Sequence, residues 1–559
     1  MIQGTASGVG KSLLAAALCR LFARAGYRVA PFKAQNMALN AAVTADGGEI
    51  GRAQAAQAAA AGVEPTVGMN PILLKPEPGD RSQLVVLGRA VASVSWSEYA
   101  RRQPELLPLV AESLARLRGA FDLVIIEGAG SPAEINLRDC DIVNMPVARL
   151  ADAPVLLVGD IDRGGVFAAL LGTLDLLEPH DRARVAGLIV NRVRGDAAIL
   201  ASGLAELTAR SGVPVLGVVP YLEPGLVPAE DSLDLDDAPR WGMPGSLEIA
   251  VVRLPRISNF DDFEPLAAEP GVRVRFARSA DELDGADLIV LPGTKSTVAD
   301  LQWLVASGFG EGIRGAAAAG RPVLGICGGY QMLGRTVNDP DRVESTASST
   351  PALGLLRVVT TFVPAKTTVR VRARATTASR LFAAAVGTEL AAYEIHAGRT
   401  SAESPSPFTI VERGGGPVTA PDGAVNAAGN VVGTYLHGLF ANDGLRAALL
   451  SALAARKGIA ADPRWGGRRG DSYERLANAV ARAVDLPAIA KLVGLSFPKP
   501  RRPRSRRRSR CCSRSPSTWR SAIRRTATTP SPGWAGCLPR AGACSAAARR
   551  RGSSRAAPR

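Results

Sequence analysis

The sequence predicts an α/β protein of two doubly wound domains followed by a disordered basic tail, and three observations predict it. Buried-strand runs that end in glycine turns recur along the first 220 residues, as in FDLVIIEGAG, ADAPVLLVGD and VAGLIVNRVRG, with helical patterns between them. A second series of such strands begins at Leu247 and includes RPVLGICGGYQMLG at 321–334. After Leu495 the apolar periodicity stops and acidic residues vanish. The expected boundaries are 1–222 for the first domain, 223–246 for a Pro/Asp/Gly-rich linker, 247–494 for the second domain and 495–559 for the tail.

Charge and cysteine usage exclude several function classes. The 559 residues carry a net charge of +16, but residues 501–559 hold 17 Arg and no Asp or Glu. The first 500 residues are therefore near neutral, at about −1, which argues against a nucleic-acid surface, since such a surface needs clustered cations. No apolar run has membrane-spanning length and no signal segment opens the chain, so a cytoplasmic location with no membrane partner is expected. Seven cysteines, four of them after residue 510, are too few and too scattered for a disulfide framework.

In the first domain, Gly4–Ser12 reads GTASGVGKS, followed by the helical pattern LLAAALCRLFARAG and the strand YRVAPFK. A strict phosphate loop, G-x-x-x-x-G-K-[ST], is missed by one place, with Thr5 where the first glycine belongs and Gly4 just before it. The physics survives that shift. Gly4, Thr5, Gly8 and Gly10 let successive backbone N–H groups wrap an anion at a helix N-terminus, Lys11 reaches the β and γ phosphates of ATP, and the Ser12 hydroxyl holds Mg²⁺. Read without chemistry, the same stretch is a Gly/Ser turn capping a helix. Only Met1 and Ile2 remain for the preceding strand, which looks clipped.

Lys33 ends the next strand in VAPFKAQNMALN, as a second phosphate or carboxylate ligand or else an ordinary surface lysine. Asp46 and Glu49, among the glycines of TADGGEIGRAQ, are candidate metal ligands or members of a solvated turn. Met69–Lys75 and the strand Gln83–Leu87 are expected to continue the α/β alternation. Phe121–Gly130 is a buried strand that delivers Glu127 to the carboxyl edge of the sheet, where ligands of open α/β sheets bind, so Glu127 is a Mg²⁺ ligand candidate. Asp160 and Asp162 reach the same edge, and the amide of Asn191 is placed to read a purine.

The second domain is organised around Cys327. Pro322–Ile326 is a short buried strand, Gly328 and Gly329 follow the cysteine, and Tyr330–Leu333 begins a helix, the pattern of a nucleophile elbow. A lone Cys after an apolar run is otherwise a structural cysteine. The turn after ADLIVLPG, reading TKST, offers backbone N–H groups suited to an oxyanion hole or to simple helix capping. A cysteine nucleophile needs a base, and the chain has three histidines, His180, His396 and His437. His180 lies in a polar segment expected at the surface. His437 is delivered by an apolar strand to a glycine turn in VVGTYLHGLF and is the expected base, with His396 structural or substrate-facing. No orienting acid can be picked out, Glu394 being nearest in sequence to either histidine.

The segments LPGTK, GICGGYQMLG and GTYLHGLF, in that order, resemble class I glutamine amidotransferase domains, and GTASGVGKS with IIEGAG resembles the dethiobiotin synthetase type of P-loop ATPase. Together with PFKAQNMALN, ADGGEIGRAQ, EGAGSPAEINL, DIDRGGVF and RISNFDDFEPL, residues 1 to about 490 resemble the cobyric acid synthase family of cobalamin biosynthesis. The resemblance implies a glutamine-dependent, ATP-consuming ligase. It would amidate the b, d, e and g carboxylates of adenosylcobyrinic acid a,c-diamide, with L-glutamine as nitrogen donor and the corrinoid as partner. It implies Cys327 as nucleophile, His437 as its base, and the N–H groups of Gly293 and Gly328 as oxyanion hole. Many amidotransferases carry Glu two residues after the histidine, where this chain has Leu439, so the resemblance implies a Cys-His dyad without a third member.

Two enzyme readings and two others compete. Cobyrinic acid a,c-diamide synthase shares both domains, but PFKAQNMALN and SPAEINL favour the first reading. A ParA-like ATPase switch explains the phosphate loop and leaves Cys327 and His437 without a role, and no substituted key residue supports a scaffold with decayed sites. The tail, FPKPRRPRSRRRSRCCSRS onward, has Ile523 and Leu538 as its only branched aliphatic residues beyond 500 and the composition of GC-rich DNA read out of frame. It is expected to be a disordered frameshift or read-through extension, with the functional chain ending near Leu495.

Overall fold

In the computed structural model, residues 1–222, 225–228, 240–242, 245–467 and 471–498 are described; the centre of the expected linker and the Arg-rich tail from 499 on lie outside the described residues. The three-residue β1 (Ile2–Gly4) leads through the glycine-rich loop into α1 (Lys11–Arg24) and β2 (Val29–Phe32). Further along come α2 (Arg52–Ala61), β3 (Leu123–Ile126), β4 (Val155–Asp160), β5 (Val185–Val193) and β6 (Val215–Pro220). β1, β4, β5 and β6 form one parallel sheet in that order, β2 pairs with β3, and a bridge from Ile2 to Glu127 joins the two sets. All six residues of β4 are buried, which is why its sequence shows no alternation. Register matters here: β3 lies beside β1, so Glu127 emerges next to the loop that follows Gly4.

The expected α/β alternation fails between residues 35 and 95. Gln35–Met37, Ile72–Glu77, Arg81–Val86 and Arg89–Ser95 form a four-stranded sheet, antiparallel except for its first pair. The connections dictate this outcome. A parallel crossover needs a dozen or more residues, whereas Pro78–Asp80 and the pair Leu87–Gly88, both at positive φ, are lengths that only a hairpin accepts.

The second half repeats the parallel design with β7 (Leu247–Val252), β8 (Val272–Ala277), β9 (Leu288–Leu291), β10 (Val323–Ile326), α3 (Gly328–Leu333), β11 (Val358–Ala375), β12 (Glu389–Ala402) and β13 (Val431–Thr434). Its sheet runs β8, β7, β9, β10, β13, with Arg240–Trp241 and Ala424–Val425 added antiparallel at the two edges. A largely antiparallel sheet of six strands, built on the long β11–β12 ribbon, is an addition that the strand-by-strand reading did not separate. The ribbon carries Tyr393, Glu394 and His396 towards β10. No helix among the described residues is long and apolar enough to cross a membrane.

The last described segment returns to the first half, although the sequence assigns it to 247–494. Leu476 and Val480 of the helix Ser472–Ala481 share a core with Leu14 and Leu18 of α1, and Val484 bridges Gly217. Ion pairs from Arg20 to Asp471 and Glu474 flank that contact. An amphipathic pattern shows that a helix has an apolar face but not which element covers it. The chain is also tied down beyond Leu495: the Tyr27 hydroxyl donates to the Ser496 carbonyl at 2.7 Å, and the Phe497 ring packs edge-on to Phe22 at 5.5 Å. The packed chain therefore continues past Leu495 to at least Phe497. Phe497→Ala is expected to destabilise the protein by about 1–2 kcal/mol, the worth of one half-buried aromatic side chain, measured as a lowered thermal midpoint in the protein cut after Pro498; an unchanged midpoint would show that the segment is not held.

Candidate active site

Cys327 stands at the end of β10 with φ 53° and ψ −109°, a strained backbone that no ordinary strand-to-helix turn produces. The surrounding glycines explain how it is reached. A Cβ at Gly329 would lie 2.0 Å from the Leu291 carbonyl oxygen, one at Gly328 2.6 Å from Thr294, and one at Gly325 2.7 Å from the Gly329 oxygen. α3 can pack against β9 and β10 at this distance only without side chains. As the first residue of α3, Gly328 has an N–H with no partner inside the helix. Gly293, two residues after β9, has its missing Cβ position 3.0 Å from the His437 ring, so the backbone there lies against the imidazole.

His437 follows β13, the neighbour of β10, and is 1% exposed. Its Nδ1 lies 2.7 Å from Asp262 Oδ2, while Asp262 Oδ1 accepts the Gly438 N–H at 2.8 Å. Burial pulls the His437 pKa down, but the Asp262 charge, its hydrogen bond and the hydrogen bond to Cys327 outweigh that and raise it to about 10. Tyr393 stacks on the imidazole with ring centroids 5.2 Å apart. The expectation of a dyad is thus corrected: a carboxylate orients His437, supplied by RISNFDDFEPL between β7 and β8 rather than from the residues after the histidine. Glu394 is turned to another task, pairing with Arg413 at 2.9 Å and lying 3.6 Å from His396. His396 itself stacks on Tyr435 at 3.8 Å and hydrogen-bonds the Gly398 carbonyl through Nδ1 at 2.8 Å.

The second constellation gathers at the carboxyl edge of the first sheet. Gly8 and Gly10 adopt positive φ (71° and 97°), and Lys11 Nζ donates to the carbonyls of Ala6 at 2.8 Å and Gly130 at 3.0 Å. Gly4 and Thr5 sit behind this cradle: Gly4 ends β1, and the Thr5 N–H is spent on the Val158 carbonyl at 2.9 Å. Glu127, wholly buried, accepts from Ser12 Oγ at 2.8 Å, Lys33 Nζ at 2.9 Å and Gln57 Nε2 at 2.5 Å. Ser12 and Glu127 offer a hydroxyl and a carboxylate side by side, the oxygen donors that a hard divalent cation takes while keeping several waters. Asn191 approaches, and its Nδ2 donates to the Val9 carbonyl at 2.7 Å, which braces the loop. Asp46 does not join the group; it is exposed in a hairpin turn and accepts the Thr44 hydroxyl proton at 2.5 Å. Asp160 and Asp162 are paired with Arg192 and Arg194.

A cavity of about 1760 Å³ opens over the cradle, far larger than a nucleotide alone fills. Lys11, Ser12, Lys33 and Glu127 line one end, and Met37, Trp96, Arg149, exposed His180 and Tyr473 extend it. Two residues without a sequence signal touch the two sites: Asp262, in the segment RISNFDDFEPL, and Gln57, in an alanine-rich stretch of α2. Neither has a local signature, because each acts through a partner distant in sequence.

Residues 248–445 match the family model of a CobB/CobQ-like glutamine amidotransferase domain, and residues 1–225 match that of a CobQ/CobB/MinD/ParA nucleotide binding domain. The chain is 56% identical over 514 residues to a cobyric acid synthase of Sorangium cellulosum, covering 89% of this chain and 98% of the relative. It is 51% identical over 515 residues to one of Pelotomaculum thermopropionicum, covering 90% and 98%. It is 49% identical over 495 residues to one of Chloroflexus aurantiacus, covering 88% and 98%.

Removing the Asp262 charge tests the geometry at Cys327 directly. Asp262→Asn is expected to lower the His437 pKa by about 1–3 units and to slow alkylation of Cys327 at neutral pH by about tenfold or more. The linkage has a definite sign: a pKa raised from 6.5 to about 10 contributes stability that is full below 6.5 and lost as pH rises through 10. The stability gap between wild type and variant should therefore close above pH 10. Equal alkylation rates and a gap that does not depend on pH would refute the pairing.

Proposed function

Because the chain belongs to the cobyric acid synthase family and is a glutamine-dependent amidoligase, we propose that it amidates the b, d, e and g carboxylates of adenosylcobyrinic acid a,c-diamide, consuming ATP and L-glutamine in the cytoplasm. The observation that carries this reading is that one chain holds both constellations, Cys327–His437–Asp262 at one sheet edge and the Lys11–Ser12–Glu127 cradle at another. The three free cysteines among the described residues agree with a reducing compartment.

Glutamine supplies the nitrogen at Cys327. The sulfur attacks the carboxamide carbon, His437 takes the thiol proton, and the N–H groups of Gly293 and Gly328 donate to the oxygen as it gains charge. His437 then returns the proton to the departing ammonia, and water cleaves the thioester to glutamate. The raised basicity of His437, set by Asp262, favours the first of these transfers.

At the cradle, the backbone N–H groups of Gly8 and Gly10 and the α1 N-terminus bind the ATP phosphates, Asn191 holds the loop in shape, and Lys11 and Lys33 neutralise the charge of the group in transfer. Mg²⁺ would be held by Ser12 and Glu127 and would supply further charge stabilisation on the phosphates. A substrate carboxylate takes up the γ-phosphoryl group to give an acyl phosphate, and ammonia displaces phosphate to leave the amide. The size of the cavity supports a substrate as large as a corrinoid.

The test is incubation with ATP, glutamine and a panel of corrinoid acids, read by mass spectrometry, with up to four amidations expected on the a,c-diamide; amidation at the a and c positions instead would favour the diamide synthase. Cys327→Ala should abolish glutamine-dependent synthesis and keep synthesis from ammonium salt at raised pH. Lys11→Ala should abolish both, while Cys327 still reacts with a glutamine-mimicking electrophile. Normal ammonia-dependent turnover in Lys11→Ala would sink the assignment of the cradle.

A further inference from the structure

Helix α2 touches both constellations. At its first residue, Arg52 Nε lies 2.7 Å from Asp261 Oδ2, and five residues on, Gln57 Nε2 donates to Glu127 Oε2 at 2.5 Å. Five residues span about 7.5 Å of helix, so one short rigid element joins the carboxylate of the cradle to the residue next to Asp262. We propose that Arg52 is a positioning residue for glutamine hydrolysis, through which filling of the nucleotide site is felt by the Asp262–His437 pair. The proposal rests on the assignment of Cys327 and His437 given above and adds a link between the two reactions.

The physical argument begins with charge. Asp261 and Asp262 are adjacent, both about 5% exposed or less, and Asp261 Oδ1 has no hydrogen-bond partner among the described residues. Burial drives the Asp261 carboxyl upward, and Arg52 is the main group that opposes this. Withdrawing Arg52 leaves two buried carboxylates side by side, which either repel or take up a proton. Either response changes the charge that His437 faces. A second contact runs in parallel: Asn259 Nδ2 donates to the Ala41 carbonyl of the first half at 3.2 Å and to the hydroxyl of Tyr393, the ring stacked on His437, at 2.8 Å.

At the other end, Glu127 has its two oxygens occupied by Ser12, Lys33 and Gln57. Recruitment of that carboxylate to the magnesium nucleotide would compete with the bond to Gln57, so the two states of the cradle differ in whether Gln57 of the packed helix α2 is tied to Glu127. A ligand shifts a distant equilibrium only through such a difference in contacts. Arg52 transmits the change because it is fixed on the same helix.

The experiment compares wild type, Arg52→Gln, Arg52→Lys and Asp261→Asn for two rates: glutamine hydrolysis, and alkylation of Cys327 by a diazoketone glutamine analogue, each with and without ATP, Mg²⁺ and corrinoid. In wild type, nucleotide and corrinoid should accelerate both by about fivefold or more. The acceleration should fall below about twofold in Arg52→Gln and in Asp261→Asn, return in Arg52→Lys, and be no smaller in the Arg52→Gln/Asp261→Asn pair than in either single change, as expected of two groups acting as one contact. The KM for glutamine should change less than kcat. Full acceleration in Arg52→Gln, or none in wild type, overturns the link while leaving basal hydrolysis intact; absence of hydrolysis in wild type would overturn the functional reading as well. Asp261→Asn keeps the side-chain volume and answers the question even where Arg52→Gln does not fold.

Discussion

A carboxylate taken out of water must be given partners, and two buried carboxylates, Glu127 and Asp262, set the geometry of both sites. Each sits at an edge where parallel strands end, and each gathers groups from elements far apart in sequence. Glu127 draws in Ser12 from α1, Lys33 from the end of β2 and Gln57 from α2. Asp262 holds both the His437 ring and the Gly438 N–H, which fixes the imidazole in position and orientation at once. The glycine turns, the strained elbow and the packing of the ribbon all serve to bring these partners to hydrogen-bond distance.

The same constraint holds the halves of the molecule together. Glu49, expected as a metal ligand or a turn residue, lies 2.5 Å from Lys75 of its own half and 2.7 Å from Lys366 of the β11–β12 ribbon. Burial alone would raise its pKa; the two ammonium groups reverse that and bring it to about 2. Lys295, in the turn after β9, reaches Glu77 at 2.9 Å in the same way. The buried Glu49 carboxylate favours one arrangement of the halves, because a slip would take Lys366 away from it. Apolar packing of Ala38, Ala41, Leu73 and Val85 with Ile395 lies beside these pairs, and Cys327 Sγ rests 3.6 Å from the Ile395 carbonyl.

Legibility in the sequence followed the range of the interactions. Strands that end in glycine turns, the elbow at Cys327 and the delivery of His437 were readable because each is encoded within about ten neighbouring residues. The 35–95 sheet departs from the expected alternation because its hairpins are signalled by loop length, and strand composition alone does not distinguish a hairpin from a crossover. The helix at 472–481 packs on the first half, which its sequence does not foretell because an amphipathic face names no partner. Asp262 and Gln57 were missed for the same reason, each being defined by a contact more than 60 residues away in sequence. Asp46 is the solvated-turn alternative of the two the sequence allows, because an acid beside glycines looks the same in a metal loop and in a hairpin turn.

The strain at Cys327 follows from these long-range demands. A non-glycine residue held at φ 53° and ψ −109° costs of order 1–3 kcal/mol, and the fold must supply the compensation. It comes from both sides of the elbow. The Cys327 N–H stays in the sheet, donating to the Thr434 carbonyl at 2.8 Å, while its carbonyl accepts the Gln331 N–H at 3.1 Å and so starts α3. Gln331 is itself held by the Thr297 hydroxyl at 3.0 Å and by Tyr435 at 3.1 Å. The residue is thus bound to β13 in one direction and to the helix in the other, and relaxing its φ would break one of the two. Because β13 also delivers His437, the bond that enforces the strain on the thiol is anchored in the strand that positions its base.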